Sequence, residues 1–284
     1  MPGTAPETSG TDVHDFRLSL RARLGFDGHT ATRNRNRFFR HERGGTMSVD
    51  VLAVGAHPDD VELGVGGTLL QLANQGYAVG ILDLTLGELS SRGTVTERMK
   101  EAQDASEILQ VSIRHNAELP DGGLQNTPEQ RREIIPFIRM LKPRILLLHR
   151  KNDRHPDHRI ASELVRDANF FSGVNSIVTE ESPYRAPHIY YYNPYSDDQT
   201  PPQVVMDISP VFDRKLDALS AYRSQLHNPD YEGAKTLVSS ESFWEGIRKR
   251  AAYWGNRVGV EYGEPLYREG PTVISAFAEL QDLS

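Results

Sequence analysis

From Val49 onward, short apolar runs alternate with stretches in which apolar residues recur every three or four positions. That rhythm is the signature of βαβ units feeding a parallel sheet. The run Val51-Leu52-Ala53-Val54-Gly55-Ala56 predicts a buried strand. A glycine-rich loop follows, then a helix through Thr68–Ala73 that stops at Gly76. Ala78–Leu86 predicts a second strand, and Thr96–Leu109 a helix with Met99, Ala102 and Leu109 on one face. Val111–Ala117 reads as a third strand. Pro128–Leu141 reads as an amphipathic helix weakened by Pro136, and Ile145-Leu146-Leu147-Leu148 marks a fourth strand within Arg144–His149.

Beyond Ala161 the pattern is less regular. It predicts a helix to Phe171, strands at Ile189–Tyr192 and Val204–Met206, and helices over Val211–Ser224 and Ser240–Arg257. No internal repeat is visible. The elements add up to a single α/β domain, Rossmann-like, with a mostly parallel sheet flanked by helices and extended by the late strands. Residues 1–46 fall outside this pattern and are expected to be a flexible extension, leaving 47–284 as the folded domain. They lack the apolar core of a secretory signal, so a cytoplasmic location is expected.

Composition narrows the chemistry. The 284 residues contain no cysteine, which excludes disulfide scaffolds, thiolate zinc sites, iron–sulfur clusters and cysteine nucleophiles. Any metal must sit on His, Asp or Glu. The net charge of -7 is uneven: residues 47–284 carry 24 Lys and Arg against 34 Asp and Glu. So acidic a body is poorly suited to gripping a nucleic-acid backbone, and a small-molecule substrate is expected instead. No apolar run approaches the roughly 18 residues of a membrane span.

Two polar clusters follow predicted strands. His57-Pro58-Asp59-Asp60-Val61-Glu62 comes directly after the first, and Asp153-Arg154-His155-Pro156-Asp157-His158 shortly after the fourth. Open α/β sheets bind ligands beyond the carboxyl ends of their strands, where the strand order reverses. A strand order of 3-2-1-4 makes these strands neighbours, so the two clusters face one another across one crevice. Imidazoles and carboxylates are ordinary zinc ligands, and each cluster offers two or more. The paired carboxylates divide naturally, with Asp60 on a metal and Asp59 left free to take a proton from an attacking water.

A lone His-Pro or Asp-Asp in a loop is ordinarily a turn. Two such clusters at the ends of parallel strands exceed turn preference. The remaining histidines, among them His115 and His149, lack that context and read as surface, tail or packing residues. Gly64, Gly66 and Gly67 fit neither a dinucleotide fingerprint nor a Walker loop and read as close helix–sheet packing.

The string Ala56-His57-Pro58-Asp59-Asp60-Val61-Glu62, with His155-Pro156-Asp157-His158-Arg159, resembles the LmbE-like, or PIG-L, family of zinc-dependent N-acetylglucosaminide deacetylases. Gly87-Glu88, Ser91-Arg92-Gly93, Tyr222-Arg223-Ser224-Gln225 and Tyr262-Gly263-Glu264-Pro265 are similar to its bacillithiol branch, whose members deacetylate N-acetylglucosaminyl-malate. The resemblance covers 47–284. It implies His57, Asp60 and His158 as ligands of Zn2+ or another divalent ion, Asp59 as general base and His155 as the group that stabilises the oxyanion or protonates the amine. Asp157 would orient His155. For the substrate it implies Glu88, Arg92 and Arg154, the arginines suiting malate's carboxylates. It also implies a homo-oligomer, a hexamer being one such assembly. The rival aglycones are inositol, a chito-oligosaccharide or an antibiotic sugar. Readings outside this chemistry are a two-metal phosphoesterase and a non-catalytic Rossmann-like binding module.

Overall fold

The computed structural model describes residues 48–195 and 200–270. Residues 1–46, expected to be an extension, lie outside the described residues. Five strands form one parallel sheet: β1 (Val51–Gly55), β2 (Val79–Asp83), β3 (Ile113–Asn116), β4 (Ile145–His149) and β5 (His188–Tyr192). Their order is β3-β2-β1-β4-β5. Every residue of β1 and β2 is buried, as continuous apolar strands covered on both faces must be. The connecting helices are α1 (Asp60–Asn74), α2 (Val95–Ile108), α3 (Pro128–Leu141) and α4 (Pro156–Ser172).

The expected neighbours are therefore neighbours. β1 pairs with β2 from Val51↔Val79 to Gly55↔Asp83, and on its other side with β4 from Val51↔Ile145 to Ala53↔Leu147. The chain winds outward from β1 through β2 to β3, then returns to lay β4 on β1's other edge. The two polar clusters emerge at this reversal. A hydrogen bond from the Ala56 backbone N–H to His149 Nε2, 2.9 Å, ties the carboxyl ends of β1 and β4 together.

The late chain departs from expectation in two respects. β5 does extend the sheet, but β6 (Val204–Asp207) does not; it pairs antiparallel with β7 (Gly263–Leu266) in a separate two-stranded ribbon. β7 carries neither apolar alternation nor β-branched residues and includes Pro265, so it offers no strand signal. The helix expected over Val211–Ser224 is shorter, α5 (Phe212–Ser220), after a 3₁₀ turn at Ser209–Val211. The last helix, α6 (Glu241–Val258), is capped by Ser240 and closed by Gly259 in the left-handed conformation. Among the described residues no helix is long and apolar enough to cross a membrane.

Helix α1 is broken at Val65 (φ -141, ψ 18). The break frees the Leu63 carbonyl, which accepts from Lys215 Nζ at 2.9 Å. It also frees the amides of Gly67 and Thr68, which donate to the Glu264 carboxylate at 3.0 and 2.6 Å. Glu264 is in turn paired with Lys215. The glycine-rich sequence follows from packing, since a Cβ on Gly64 would lie 2.2 Å from the Tyr192 ring and one on Gly67 2.9 Å from Ile208. Gly66 meets only ordinary van der Waals distances.

Candidate metal centre and active site

His57-Pro58-Asp59 turns the chain from β1 into α1, and Asp59 occupies the N-cap with φ 117 and ψ -25. A positive φ is costly for a residue with a Cβ, and an N-cap Asp ordinarily bonds an amide of the first turn. Asp59 makes no such bond. One oxygen, Oδ2, instead meets Arg98 Nη2 at 2.9 Å; the other, Oδ1, is buried without a hydrogen-bond partner. Arg98, from α2, is fixed by donating to the Pro58 carbonyl through Nε and Nη2 at 3.0 and 2.7 Å. Burial pushes the Asp59 carboxyl up to about 7 against the opposing pull of Arg98. Strain and a carboxylate kept off the cap together make Asp59 a candidate functional position.

Asp60 lies at the centre. Its Oδ2 accepts from the His57 backbone N–H at 2.9 Å and lies 3.3 Å from His57 Nδ1, while Oδ1 lies 3.2 Å from His158 Nε2. Ligand atoms of His57, His155 and His158 lie within 4.8 Å of one another, as do those of Asp60, His149 and His158, so these side chains could hold a metal ion. The outer nitrogen of each imidazole meets a carboxylate. His158 Nδ1 is 3.1 Å from Asp153 Oδ2, and His57 Nε2 is 3.1 Å from Asp121 Oδ1 and 3.3 Å from Asp157 Oδ2. Carboxylates on the outer nitrogens are the usual support of metal-bound histidines.

The electrostatics also call for a cation. Burial alone would lower the His57 imidazole, but its hydrogen bonds to Asp121, Asp157 and Asp60 hold it well above its ordinary value. Burial likewise opposes protonation of His158, and the Asp60 and Asp153 carboxylates override it, lifting it to about 9. Asp60 is pushed up by burial, yet His158 and His149 hold it well below the usual carboxylate range. Positive charge drawn onto these imidazoles is charge a divalent ion would supply.

His149, read from sequence as a packing residue, stands at this centre. It stacks on His158 at 4.2 Å between ring centroids and lies 3.4 Å from Asp60 Oδ2. Its Nε2 is committed to the Ala56 amide, and burial pushes it down to about 4, so it stays neutral. With Asp60 and His158 it forms a trio that could hold an ion, their ligand atoms within 4.8 Å of one another. His115 does pack, with its ring 5.5 Å from that of Phe137.

His155 caps α4. Its Nδ1 accepts the Asp157 backbone N–H at 3.2 Å, which places the proton of the neutral ring on Nε2. Pro156 at the first helical position favours the same start, so the His-Pro pair is built by helix chemistry. The His155 ring lies 4.8 Å from that of His57 and 4.7 Å from that of His158. The Asp157 carboxylate, expected to orient His155, faces His57 and accepts from the Gly122 N–H at 2.8 Å; it is Asp157's amide that holds His155.

The remaining expected residues are placed as follows. Arg92 is buried and turned toward the 224–234 loop, donating from Nε to the Ser224 carbonyl at 2.6 Å and from Nη1 to that of Ala234 at 2.7 Å. Arg154 is exposed, its guanidinium 5.7 Å above the Tyr195 ring. Glu88 accepts from the Asp121 N–H at 2.8 Å and so steadies the turn that carries Asp121. Tyr195 donates to Asp60 Oδ1 at 3.2 Å and stacks on His158 at 5.3 Å. Sequence reasoning did not single out Arg98, Asp121 or Tyr195.

A parallel sheet with such a cluster of histidines and aspartates at its reversal is an α/β fold with a candidate metal-binding site. The chain belongs to the PIG-L family, whose model, described as GlcNAc-PI de-N-acetylase, matches residues 52–169. Diacetylchitobiose deacetylase of Thermococcus kodakarensis is 30% identical over 76% of this chain and 81% of its own. A probable N-acetyl-alpha-D-glucosaminyl L-malate deacetylase 2 of Bacillus cereus is 31% identical over 63% and 84%. 4-Oxalmesaconate hydratase of Pseudomonas putida is 27% identical over 66% and 78%. Among solved structures, the conserved protein TT1542 of Thermus thermophilus superposes with a TM-score of 0.72 at 37% identity, covering 81% of this chain and 98% of that one.

Proposed function

We propose that this protein hydrolyses the N-acetyl amide of an N-acetylglucosaminyl conjugate, with a divalent metal, zinc by the donor set, on His57, Asp60 and His158. The observation that carries the reading is Asp59: strained, buried, held by Arg98 and with one oxygen unpartnered beside the ligand trio. A divalent ion bound there would supply a Lewis acid for the carbonyl and lower the pKa of a bound water. Asp59 would take a proton from the water that adds to the amide carbon. His155 faces the developing oxyanion with Nε2–H. The C–N bond then breaks, the sugar amine takes the proton Asp59 received, and acetate leaves.

Two conjugates divide the reading of the aglycone. The malate conjugate of the bacillithiol pathway draws on the sequence resemblance and on the Bacillus cereus relative, and needs cations for two carboxylates. Arg154, exposed above the Tyr195 ring, supports that role, whereas Arg92 has Nε and Nη1 on backbone carbonyls. A second sugar draws on the Thermococcus relative. Acetate release from N-acetylglucosamine, diacetylchitobiose, N-acetylglucosaminyl-malate and the inositol conjugate, with zinc and then with chelator, tests the reading. Release from at least one, abolished by chelator, is expected. No acetate from any of them, as from a hydratase, overturns it.

A further inference from the structure

Tyr195 lies just beyond β5, outside both polar clusters, yet its side chain ends at the centre of the site. Its hydroxyl donates to Asp60 Oδ1 at 3.2 Å, and its ring stacks on that of His158, 5.3 Å away and 16° from parallel. One residue thus touches two of the three side chains assigned to the metal. No ligand-bearing loop brings it there. The parallel pairing of β5 with β4, His149 opposite Tyr192, delivers the chain to this edge.

The two oxygens of Asp60 are each held by a donor. Oδ2 accepts from the His57 backbone N–H at 2.9 Å, and Oδ1 from the Tyr195 hydroxyl. Turning the carboxylate about its Cβ–Cγ bond breaks both bonds at once, and each oxygen retains a lone pair for a cation. His158 is fixed in a similar manner. Its ring stacks on His149 at 4.2 Å and on Tyr195, and its Nδ1 meets Asp153 Oδ2 at 3.1 Å, so Nε2 is left to face Asp60 Oδ1. We infer that Tyr195 is a positioning residue of the metal centre, its hydroxyl setting the plane of the Asp60 carboxylate and its ring the plane of the His158 imidazole. The inference rests on the metal-dependent reading of the site and extends it to a residue outside both ligand clusters.

Packing alone does not require the hydroxyl. Phe243 lies 6.0 Å from the Tyr195 ring and the Arg154 guanidinium 5.7 Å above it, contacts that a phenylalanine would make equally well. A buried hydroxyl costs free energy unless it finds an acceptor, and the acceptor here is the carboxylate at the middle of the site.

Tyr195→Phe separates the two parts, because it keeps the ring and removes the hydroxyl. Partners that orient metal ligands contribute about 10–100-fold in metal affinity, so the zinc Kd of the variant should rise by that factor. Competition with a chromogenic chelator reads it without turnover. With zinc saturating, kcat on a conjugate that the wild type deacetylates should return to within about threefold of the wild-type value. Tyr195→Leu, which also gives up the stack on His158, should bind zinc more weakly still. Phe243→Leu is the packing control: it trims the contact behind Tyr195 and should leave the zinc Kd within about twofold.

An unchanged zinc Kd in Tyr195→Phe overturns the inference; accompanied by a lower kcat at saturating zinc, it would make the hydroxyl a group that acts on the substrate. Equal weakening in Tyr195→Phe and Phe243→Leu overturns it too, since loosened packing would then suffice. These outcomes leave the metal-dependent reading standing. A wild-type protein that takes up no zinc defeats that reading, and the role of Tyr195 with it.

Discussion

Helix α1 carries a buried ionic group at each of two places, and the groups are built on opposite principles. At the break near Val65, Glu264 accepts from Gly67 N, Thr68 N, Thr68 Oγ1 and Lys215 Nζ, so both carboxylate oxygens have donors. At the N-terminus, Asp59 keeps one oxygen unpartnered, and Asp60 gathers imidazoles whose outer nitrogens are held by further carboxylates. The first group is closed upon itself. The second directs its capacity at one point. Burial and charge are common to both, so neither identifies a site; what distinguishes them is whether the valences close. Removing a residue from the closed group should cost stability and spare turnover, and the reverse should hold at the open one.

The largest effect is expected at the metal centre. His158→Ala should lose the bound metal and at least about a thousandfold in kcat/KM, because the Lewis acid and the activated water depart together. Metal analysis of the purified variant checks it, and full occupancy would remove His158 from the ligand set. Asp59→Asn should keep its metal while kcat falls by about 10²–10⁴, the usual contribution of a positioned base.

Arg98→Met comes next and acts through Asp59. The base works only when ionised, so activity climbs with pH as Asp59 deprotonates. Arg98 lowers that pKa against burial. Without the guanidinium, the acid limb of the kcat/KM profile should move to higher pH, with the plateau reduced as Asp59 loses its orientation. A reduced plateau on an unmoved limb would make Arg98 a packing residue of the Pro58 turn.

How much of this was legible depends on distance along the chain. The strands β1, β2 and β4 are apolar runs bounded by turn residues, and the two ligand clusters lie within ten residues of their ends. That proximity made the centre readable as histidine and aspartate at a sheet reversal. Arg98 sits on a charged amphipathic helix, where an arginine reads as solvated surface. Asp121, in Pro120-Asp121-Gly122-Gly123, reads as a turn; the signal available was that this turn also follows a sheet strand, β3, at the same edge. His149 closes a run of leucines and reads as the end of a core strand. The Tyr-Gly-Glu-Pro segment carried the resemblance, but nothing local reveals that Glu264 mends a break in a helix almost 200 residues earlier.

That break gives the smallest expected effect on turnover and the sharpest test of the comparison. Lys215→Met leaves Glu264 buried beside the freed amides without its cation, and severing a buried pair from one side costs about 3–5 kcal/mol. Replacing both partners, as in Lys215→Met with Glu264→Gln, should recover part of that loss, since no buried charge remains. The first turns of α1 have independent anchors: Glu62 accepts from Arg114 Nη1 at 2.6 Å, and Gly64 lies against Tyr192. Asp59 and Asp60 should therefore hold their positions when the clamp is weakened, and kcat per folded molecule should stay within about twofold. Urea unfolding beside active-site-normalised turnover measures both quantities. A large fall in kcat with stability intact would show that the break at Val65 positions the catalytic carboxylates, and the division between a closed structural group and an open chemical one would not stand.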